Sequence, residues 1–108
     1  MPAAKIVVLY PRPTDVSVFE RVYMDEHIPL ARARISGATR FVFARVQGAV
    51  GGEAPYHRVT EIHFASMESL QASAATPGTQ EAAGHAIEIS TGGPPVFLIT
   101  DEETMTLG

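Results

Sequence analysis

Cysteine is missing from this chain of 108 residues. Its absence excludes disulfides, thiolate metal sites, iron–sulfur clusters and catalysis by a cysteine nucleophile. With 45% hydrophobic and 19% charged residues, the composition is typical of an ordinary soluble globular chain. We expect a single domain over residues 1–108, with an ordered core over about 4–101 and an acidic tail over 102–108.

Positive charge is also scarce, because eight Lys and Arg residues face twelve Asp and Glu residues, for a net charge of −4. Nucleic acid binding requires a basic stripe, and the arginines here are scattered. No run approaches the roughly 18 apolar residues of a membrane span. Residues 1–15 lack the basic start and apolar centre of a signal peptide. We therefore expect a cytoplasmic protein that binds neither nucleic acid nor membranes.

Hydrophobic patterning predicts seven elements along the chain. The predicted strands are 4–10, 39–48, 56–65 and 96–99, and the predicted helices are 15–27, 67–75 and 77–86. The resulting β-α-β-β-α-β order, with one helix in two pieces, is typical of a ferredoxin-like four-stranded antiparallel sheet with its helices on one face. The other sheet face is then uncovered and partly apolar, which favours an oligomer interface. We expect a homodimer.

The segment 23–30 carries the most specific chemical signal. In a helix over 15–27, Phe19, Tyr23 and His27 project from one face, because side chains four residues apart stack along a helix. An imidazole beside an aromatic wall can carry protons in a largely apolar pocket. A helix C-terminal cap is an equally simple interpretation of His27, because the helix dipole favours an imidazolium there.

Pro29 bears on the choice between these interpretations. The residue before a proline is disfavoured in the α conformation, so we expect the helix to end near His27 or Ile28. His85 lies near the end of the last predicted helix, and we expect it to be a cap or a solvated side chain.

A second pair of histidines, His57 and His63, has Glu61 between them on one predicted strand face. Alternate residues share a face, so this pattern resembles a metal site. The two histidines are about 20 Å apart along a strand, however, and two ligands alone are too few for a site. We expect no metal here, and interpret Glu61 as a cross-strand partner of Arg58 or Arg45.

Four sequence features together resemble the EthD family, which is named for a component of bacterial ethyl tert-butyl ether degradation. They are the Val-Leu-Tyr-Pro-Arg-Pro start at 8–13, Phe19-x3-Tyr23-x3-His27-x-Pro29-Leu30, the strand Tyr-His-Arg-Val-Thr-Glu-Ile-His-Phe at 56–64, and Ser-Met-Glu-Ser-Leu-Gln at 66–71. The features occur in the right order and span nearly all of residues 4–101.

The resemblance implies a dimeric α+β barrel, in which two ferredoxin-like sheets close against each other. Relatives with this architecture include polyketide cyclases, quinone-forming monooxygenases and muconolactone isomerases. Their pocket, between sheet and helices, typically holds a small cyclic or aromatic compound. The histidine of the His-x-Pro motif, here His27, is the usual candidate for proton transfer. Methylisomerase relatives also use a cysteine, which this chain lacks.

Two functions therefore follow from the resemblance. One is a cofactor-free enzyme, such as an isomerase, a cyclase or a monooxygenase-like oxidoreductase, with His27 as acid or base and Tyr23 donating a hydrogen bond. The other is a non-catalytic accessory protein that delivers an apolar metabolite to an oxidising enzyme. In either case we expect the ligand to contact a set of apolar side chains, namely Phe19, Phe43, Ile62 and Phe64. A dimerisation domain without a pocket is the third alternative.

Overall fold

The computed structural model describes residues 2–108, which form one four-stranded antiparallel sheet packed against helices. The elements are β1 Ala4–Pro11, α1 Val16–Val22, a π-helical turn Tyr23–His27, α2 Ile28–Arg34, β2 Arg40–Arg45, β3 Tyr56–Phe64, α3 Met67–Ala74, α4 Pro77–Ile89 and β4 Val96–Asp101. The strand order is β2-β3-β1-β4, with β1 and β3 at the centre. The predicted ferredoxin-like fold is confirmed.

Alternate residues of β1 point toward the helices and form the centre of the core. The buried set in this strand is Ala4, Ile6, Val8 and Tyr10. Residues from the first helical stretch, from α3 and from α4 pack against that set, namely Phe19, Tyr23, Leu70, Ala86 and Ile89. Because side chains alternate across a strand, the intervening residues of β1 lie on the opposite face of the sheet.

The first helical stretch runs through Pro29, so the prediction that it ends near His27 or Ile28 was wrong. The amide of Ile28 donates to the carbonyl of Tyr23, five residues back, which is the bond of a π-turn. Pro29 then occupies the first turn of α2, where the missing N–H and the fixed φ are tolerated. The helix continues to Arg34, so the interpretation of His27 as a C-terminal cap was wrong as well.

The pairing of β1 with β3 contains a bulge that redirects one histidine. Tyr10 lies opposite Arg58 and Pro11 lies opposite Tyr56, so His57 is an extra residue in β3. Its side chain reaches Glu20 of α1 on the helix side of the sheet. The expectation that His57 shares a face with Glu61 and His63 was therefore wrong, because a bulge breaks strict alternation.

The sheet face opposite the helices carries a mixture of apolar and charged side chains. By strand register its members include Val7, Leu9, Val42, Val59 and Leu98. Beside them Lys5 lies 3.5 Å from both Glu61 and Glu102, and the Nε2 atom of His63 lies 2.8 Å from Glu61. Glu61 thus pairs with Lys5 and His63, which corrects its expected pairing with Arg58 or Arg45.

Two further features concern the helices. The helices within residues 2–108 are all too short or too polar to cross a bilayer. In α4, Gly78 lies so close to α2 that a Cβ atom there would collide with the carbonyl oxygen of Arg34. The small residue therefore lets α4 pack tightly beside the segment that carries His27.

Candidate functional site

A cavity of about 60 Å³ lies between the sheet and the helical segments that carry His27 and Thr79. Its polar lining comes from four side chains, namely Tyr10, His27, Thr60 and Thr79. The apolar lining includes Ile6, Val8, Ala31, Ile35, Phe41, Phe43, Ile62, Ala82, Ala83, Ala86 and Phe97. A mostly apolar cavity with a few convergent polar groups is the usual form of a small-molecule site.

A stack of four rings lies beside the cavity, and His27 is the member of the stack that lines it. Phe19 and Tyr23 stack at 5.5 Å between centroids, and Tyr23 and His27 stack at 6.0 Å. His85 from α4 adds a fourth ring, 5.1 Å from that of His27. The prediction that Phe19, Tyr23 and His27 share one helix face is confirmed, and the stack ends on a histidine from another helix.

His27 is held by a protein group at each ring nitrogen. The Tyr10 hydroxyl oxygen lies 3.3 Å from Nε2, and Nδ1 of His85 lies 2.9 Å from Nδ1 of His27. Two facing nitrogens at that distance must share one proton, because two lone pairs or two N–H groups would repel each other. The three side chains thus form a continuous hydrogen-bonded chain from the cavity wall to α4.

Burial determines the charge of His27. The side chain is only 6% exposed. Burial, and then the positive charge that His85 can carry, lower its pKa from 6.5 to about 4. The ring is therefore neutral near pH 7, which is the form that accepts a proton.

Tyr10 is fully buried and is the other hydrogen-bonding group at this end of the cavity. Burial, with a smaller contribution from Tyr23, raises the pKa of its hydroxyl. Its ring packs edge-on against Phe19, Tyr23 and His27, with centroids 5.4, 5.5 and 6.4 Å away. These contacts hold the neutral phenol in a fixed orientation toward His27.

The remaining predicted site residues divide into two groups. Phe43 and Ile62 line the cavity. Tyr23, Phe19 and Phe64 belong to the core beside it and are not part of its lining. The Tyr23 hydroxyl is hydrogen-bonded to Thr60, which does line the cavity. Burial raises the pKa of Tyr23, so this phenol is also neutral.

Sequence reasoning missed Tyr10 and His85. For Tyr10 a signal existed, since it alternates with the inward-facing residues Ile6 and Val8 in β1. For His85 the sequence held no comparable signal. The residue lies on α4 next to buried Ala86, and only the packing of α4 against the π-helical turn brings it to His27.

A second polar cluster lies under α1, near the opposite end of the stack. Arg58 donates two hydrogen bonds to the carboxylate of Glu20, one from Nε at 3.0 Å and one from Nη2 at 2.6 Å. The Nε2 atom of His57 lies 2.9 Å from the same carboxylate. The hydrogen bonds from Arg58 and, less strongly, from His57 lower the pKa of Glu20 to about 2. The Arg58 guanidinium also lies 5.0 Å from the centroid of Tyr23.

Metal ligation is not provided by either cluster. Among residues 2–108, no group of three or more His, Asp or Glu side chains is arranged to hold an ion. Glu20 is bonded to both His57 and Arg58, and the charge of Arg58 opposes a cation.

Comparisons with known proteins agree on family and fold. The model of the EthD domain matches residues 12–88. A Rhodococcus erythropolis protein, described as an 11.0 kDa protein in the thcB-thcC intergenic region, is 27% identical over 101 residues, covering 94% of this chain and 96% of that protein. The crystal structure of an EthD family protein from Bacillus halodurans C-125 has a TM-score of 0.84 at 27% identity, covering 94% and 99% of the two chains.

A more distant structure shares the fold. A protein from Jannaschia sp. CCS1, described as dimeric and ferredoxin-like, has a TM-score of 0.68 at 19% identity, covering 94% of this chain and 99% of that one.

Proposed function

Because the chain belongs to the EthD family, as its motifs predicted, we propose that it binds a small apolar, cyclic molecule between sheet and helices, where His27 serves proton transfer. The observation that carries this proposal is a neutral imidazole, 6% exposed, in the wall of an otherwise largely apolar cavity. Burial keeps this imidazole unprotonated near pH 7 and so able to accept a proton, and charges that develop on a ligand there are poorly screened.

The proposed reaction class is proton transfer without a cofactor. Removal of a proton from an enol, lactone or phenol permits isomerisation or ring closure. A resulting carbanion can also meet oxygen directly, which would make the protein a monooxygenase-like oxidoreductase. The family is named for ethyl tert-butyl ether degradation, and we extend the proposal to a cytoplasmic step of such oxidative degradation.

The ligand contacts that we propose follow the cavity wall. Phe43 and Ile62 contact the ligand directly, and Phe19 and Phe64 support that wall from the core. Tyr23 acts through Thr60, because its hydroxyl is bonded to that side chain. This role for Tyr23 is positional, since it orients the side chain of a residue that lines the cavity.

Native mass spectrometry of the purified protein tests the binding step. We expect a small apolar compound to be retained, and an Ala83→Phe variant, which fills the cavity from α4, to lose it. Ile87→Phe, on the exposed side of the same helix, is the matched control and should retain the compound. Equal retention by both variants would contradict binding in this cavity.

Turnover tests the chemical step. The retained compound, incubated with the wild-type protein, should be converted, and His27→Gln should reduce the rate by about 100-fold, the usual contribution of a general acid or base. His63→Gln, at a buried histidine on the other sheet face, is the control and should convert the compound normally. A folded His27→Gln variant with full turnover would remove His27 from the mechanism.

One observation favours the accessory-protein alternative. Both ring nitrogens of His27 already have protein partners, so none is free to contact a ligand. An accessory protein would keep its ligand after His27→Phe and would convert no compound by itself. The two measurements above separate this alternative from the enzyme.

We also propose that the protein is a homodimer, formed through the open face of the sheet. The support is the apolar set on that face, which includes Val7, Val59 and Leu98. Val7→Lys should then shift the molecular mass from dimer to monomer in sedimentation equilibrium. Ile87→Lys, at a hydrophobic residue 55% exposed on α4, is the control and should leave the dimer intact. A Val7→Lys variant that sediments as a dimer would exclude this face.

A further inference from the structure

We propose that Tyr10, His27 and His85 form a proton relay, in which the Tyr10 hydroxyl contacts the ligand and His85 exchanges protons with water. This inference rests on the proposed ligand binding, but the group that contacts the ligand is the Tyr10 hydroxyl and not the imidazole of His27. His27 then acts through Tyr10 and is a relay residue. His85, which sequence reasoning treated as a cap or a solvated residue, becomes the outer end of the path.

The geometry carries this proposal. Tyr10 is one of the residues that line the cavity, and its phenol oxygen lies 3.3 Å from Nε2 of His27. Across the His27 ring, the two Nδ1 atoms of His27 and His85 are 2.9 Å apart. Tyr10 and His27 are buried, whereas His85 is partly exposed. The chain of polar atoms therefore runs in one direction, from a mostly apolar cavity to a partly exposed side chain.

The proton transfers balance without any other reactant. At the start, Tyr10 donates its O–H to Nε2 of His27, and Nδ1–H of His27 donates to Nδ1 of His85. A ligand gives a proton to the Tyr10 oxygen, whose own proton moves to Nε2 of His27. The proton on Nδ1 of His27 moves to His85. The products are an anionic ligand, neutral Tyr10, neutral His27 and an imidazolium at His85, which then releases a proton to water.

The direction of transfer fits the positions of the charges. The positive charge ends on the most hydrated member, while the two buried members stay neutral throughout. Glu81 and Glu88 lie four residues before and three residues after His85 on α4, a spacing that favours a cation there. Glu81 is also paired with Arg34 at 2.9 Å, which reduces its share of this effect.

Nitrogen-15 NMR of histidine side chains tests the shared proton in the ligand-free protein. We expect a scalar coupling between the two Nδ1 atoms, carried through the N–H···N bond. His27→Gln and His85→Gln should each abolish it. His63→Gln, at the histidine bonded to Glu61, is the control and should preserve it. A wild-type spectrum in which His27 and His85 show no coupling would overturn the relay.

Exchange of α-hydrogens tests whether the path conducts. Cyclopentanone in D₂O is a suitable probe, because a hydrogen removed from its α-carbon is replaced by deuterium only if protons reach water. We expect Tyr10→Phe and His27→Gln to slow protein-catalysed exchange by about 100-fold. His85→Gln can still bond His27 but cannot pass a proton, so it should slow exchange by about tenfold while cyclopentanone affinity is unchanged.

Chemical rescue separates a relay from a structural role. In His85→Ala, imidazole added to the buffer should raise the rate of exchange several-fold. The same imidazole should leave the rate of exchange by Tyr10→Phe unchanged. Exchange by the wild-type protein no faster than in buffer, or full exchange by His85→Ala without imidazole, would overturn the relay. Cyclopentanone-induced chemical-shift changes at Phe43 and Ile62 report binding separately. Binding without exchange therefore contradicts the relay alone, and absent binding contradicts the proposed cavity site.

Discussion

Two polar clusters lie on the same side of the sheet, and each contains a buried histidine. The relay cluster is made of Tyr10, His27 and His85. Its two buried members, Tyr10 and His27, are uncharged near pH 7. The ion-pair cluster, made of Glu20, His57 and Arg58, joins a carboxylate to a guanidinium and an imidazole. The two buried histidines are about equally inaccessible to solvent. The relay cluster makes its hydrogen bonds between neutral side chains at its buried end, whereas the ion-pair cluster makes them to a carboxylate.

The difference teaches what each cluster can do. In the ion-pair cluster the carboxylate of Glu20 holds the guanidinium and the imidazole in place, so the protons of the cluster are fixed. In the relay cluster no opposite charge fixes the proton between the two histidines, and this proton can move when the Tyr10 proton moves to His27 with it. A buried site that lacks a counter-ion contributes less to stability, but its protons remain movable.

The largest effect on stability is expected in the ion-pair cluster. Arg58→Met keeps the volume of the side chain and leaves Glu20 without its bidentate partner. We expect the free energy of unfolding to fall by about 4 kcal/mol, because removing one partner of a buried pair leaves a charge uncompensated. Urea denaturation measures this fall. Arg45→Met, at the exposed residue opposite Arg58 in the sheet, should change stability by less than about 0.5 kcal/mol.

The relay cluster should dominate the loss of stability between pH 6.5 and pH 4. The unfolded His27 binds a proton below pH 6.5, whereas the folded one does so only near pH 4, so stability falls as the pH drops through this window. The difference between these values corresponds to about 3 kcal/mol. Urea denaturation across the window should show a slope that His27→Phe removes. An unchanged slope in that variant would contradict the buried, neutral state.

The ion-pair cluster should cause a further loss of stability between pH 4.5 and about pH 2. Folded Glu20 stays ionised to about pH 2, whereas the unfolded carboxyl protonates below pH 4.5, so its stabilisation is lost between those values. We expect about 2 kcal/mol, because partial exposure to solvent screens the pair. Thermal unfolding of Glu20→Gln should depend less on pH than that of wild type in this range. If both proteins respond equally, Glu20 is not the responsible group.

The smallest effect is expected for His27→Phe at pH 8. The Tyr10 hydroxyl loses one hydrogen-bond partner, which costs about 1 kcal/mol, and the new ring keeps the stack with Tyr23. Denaturation at pH 8 should therefore show a loss well below that of Arg58→Met. Similar losses in the two variants would remove the distinction between the clusters.

Periodicity in the sequence was sufficient for the fold and for part of the site. The spacing of Phe19, Tyr23 and His27 predicts one helix face, and the structure has those rings stacked. The helix end was mispredicted because the bias before Pro29 is local, whereas a π-turn lets the helix continue against the sheet and α4.

Two of the remaining misses have tertiary causes. The face of His57 depends on a bulge, which a strict alternation of two cannot anticipate. The contact of His85 with His27 depends on how two helices pack, for which a single sequence holds no pattern.

A nitrogen-15 NMR titration of His27 in the folded wild-type protein tests the central claim most directly. A buried ring without a counter-ion should stay neutral at pH 7 and titrate with a midpoint near pH 4. A midpoint at pH 6.5 or above would mean a ring that is hydrated or paired with a charge, and would contradict the site described above.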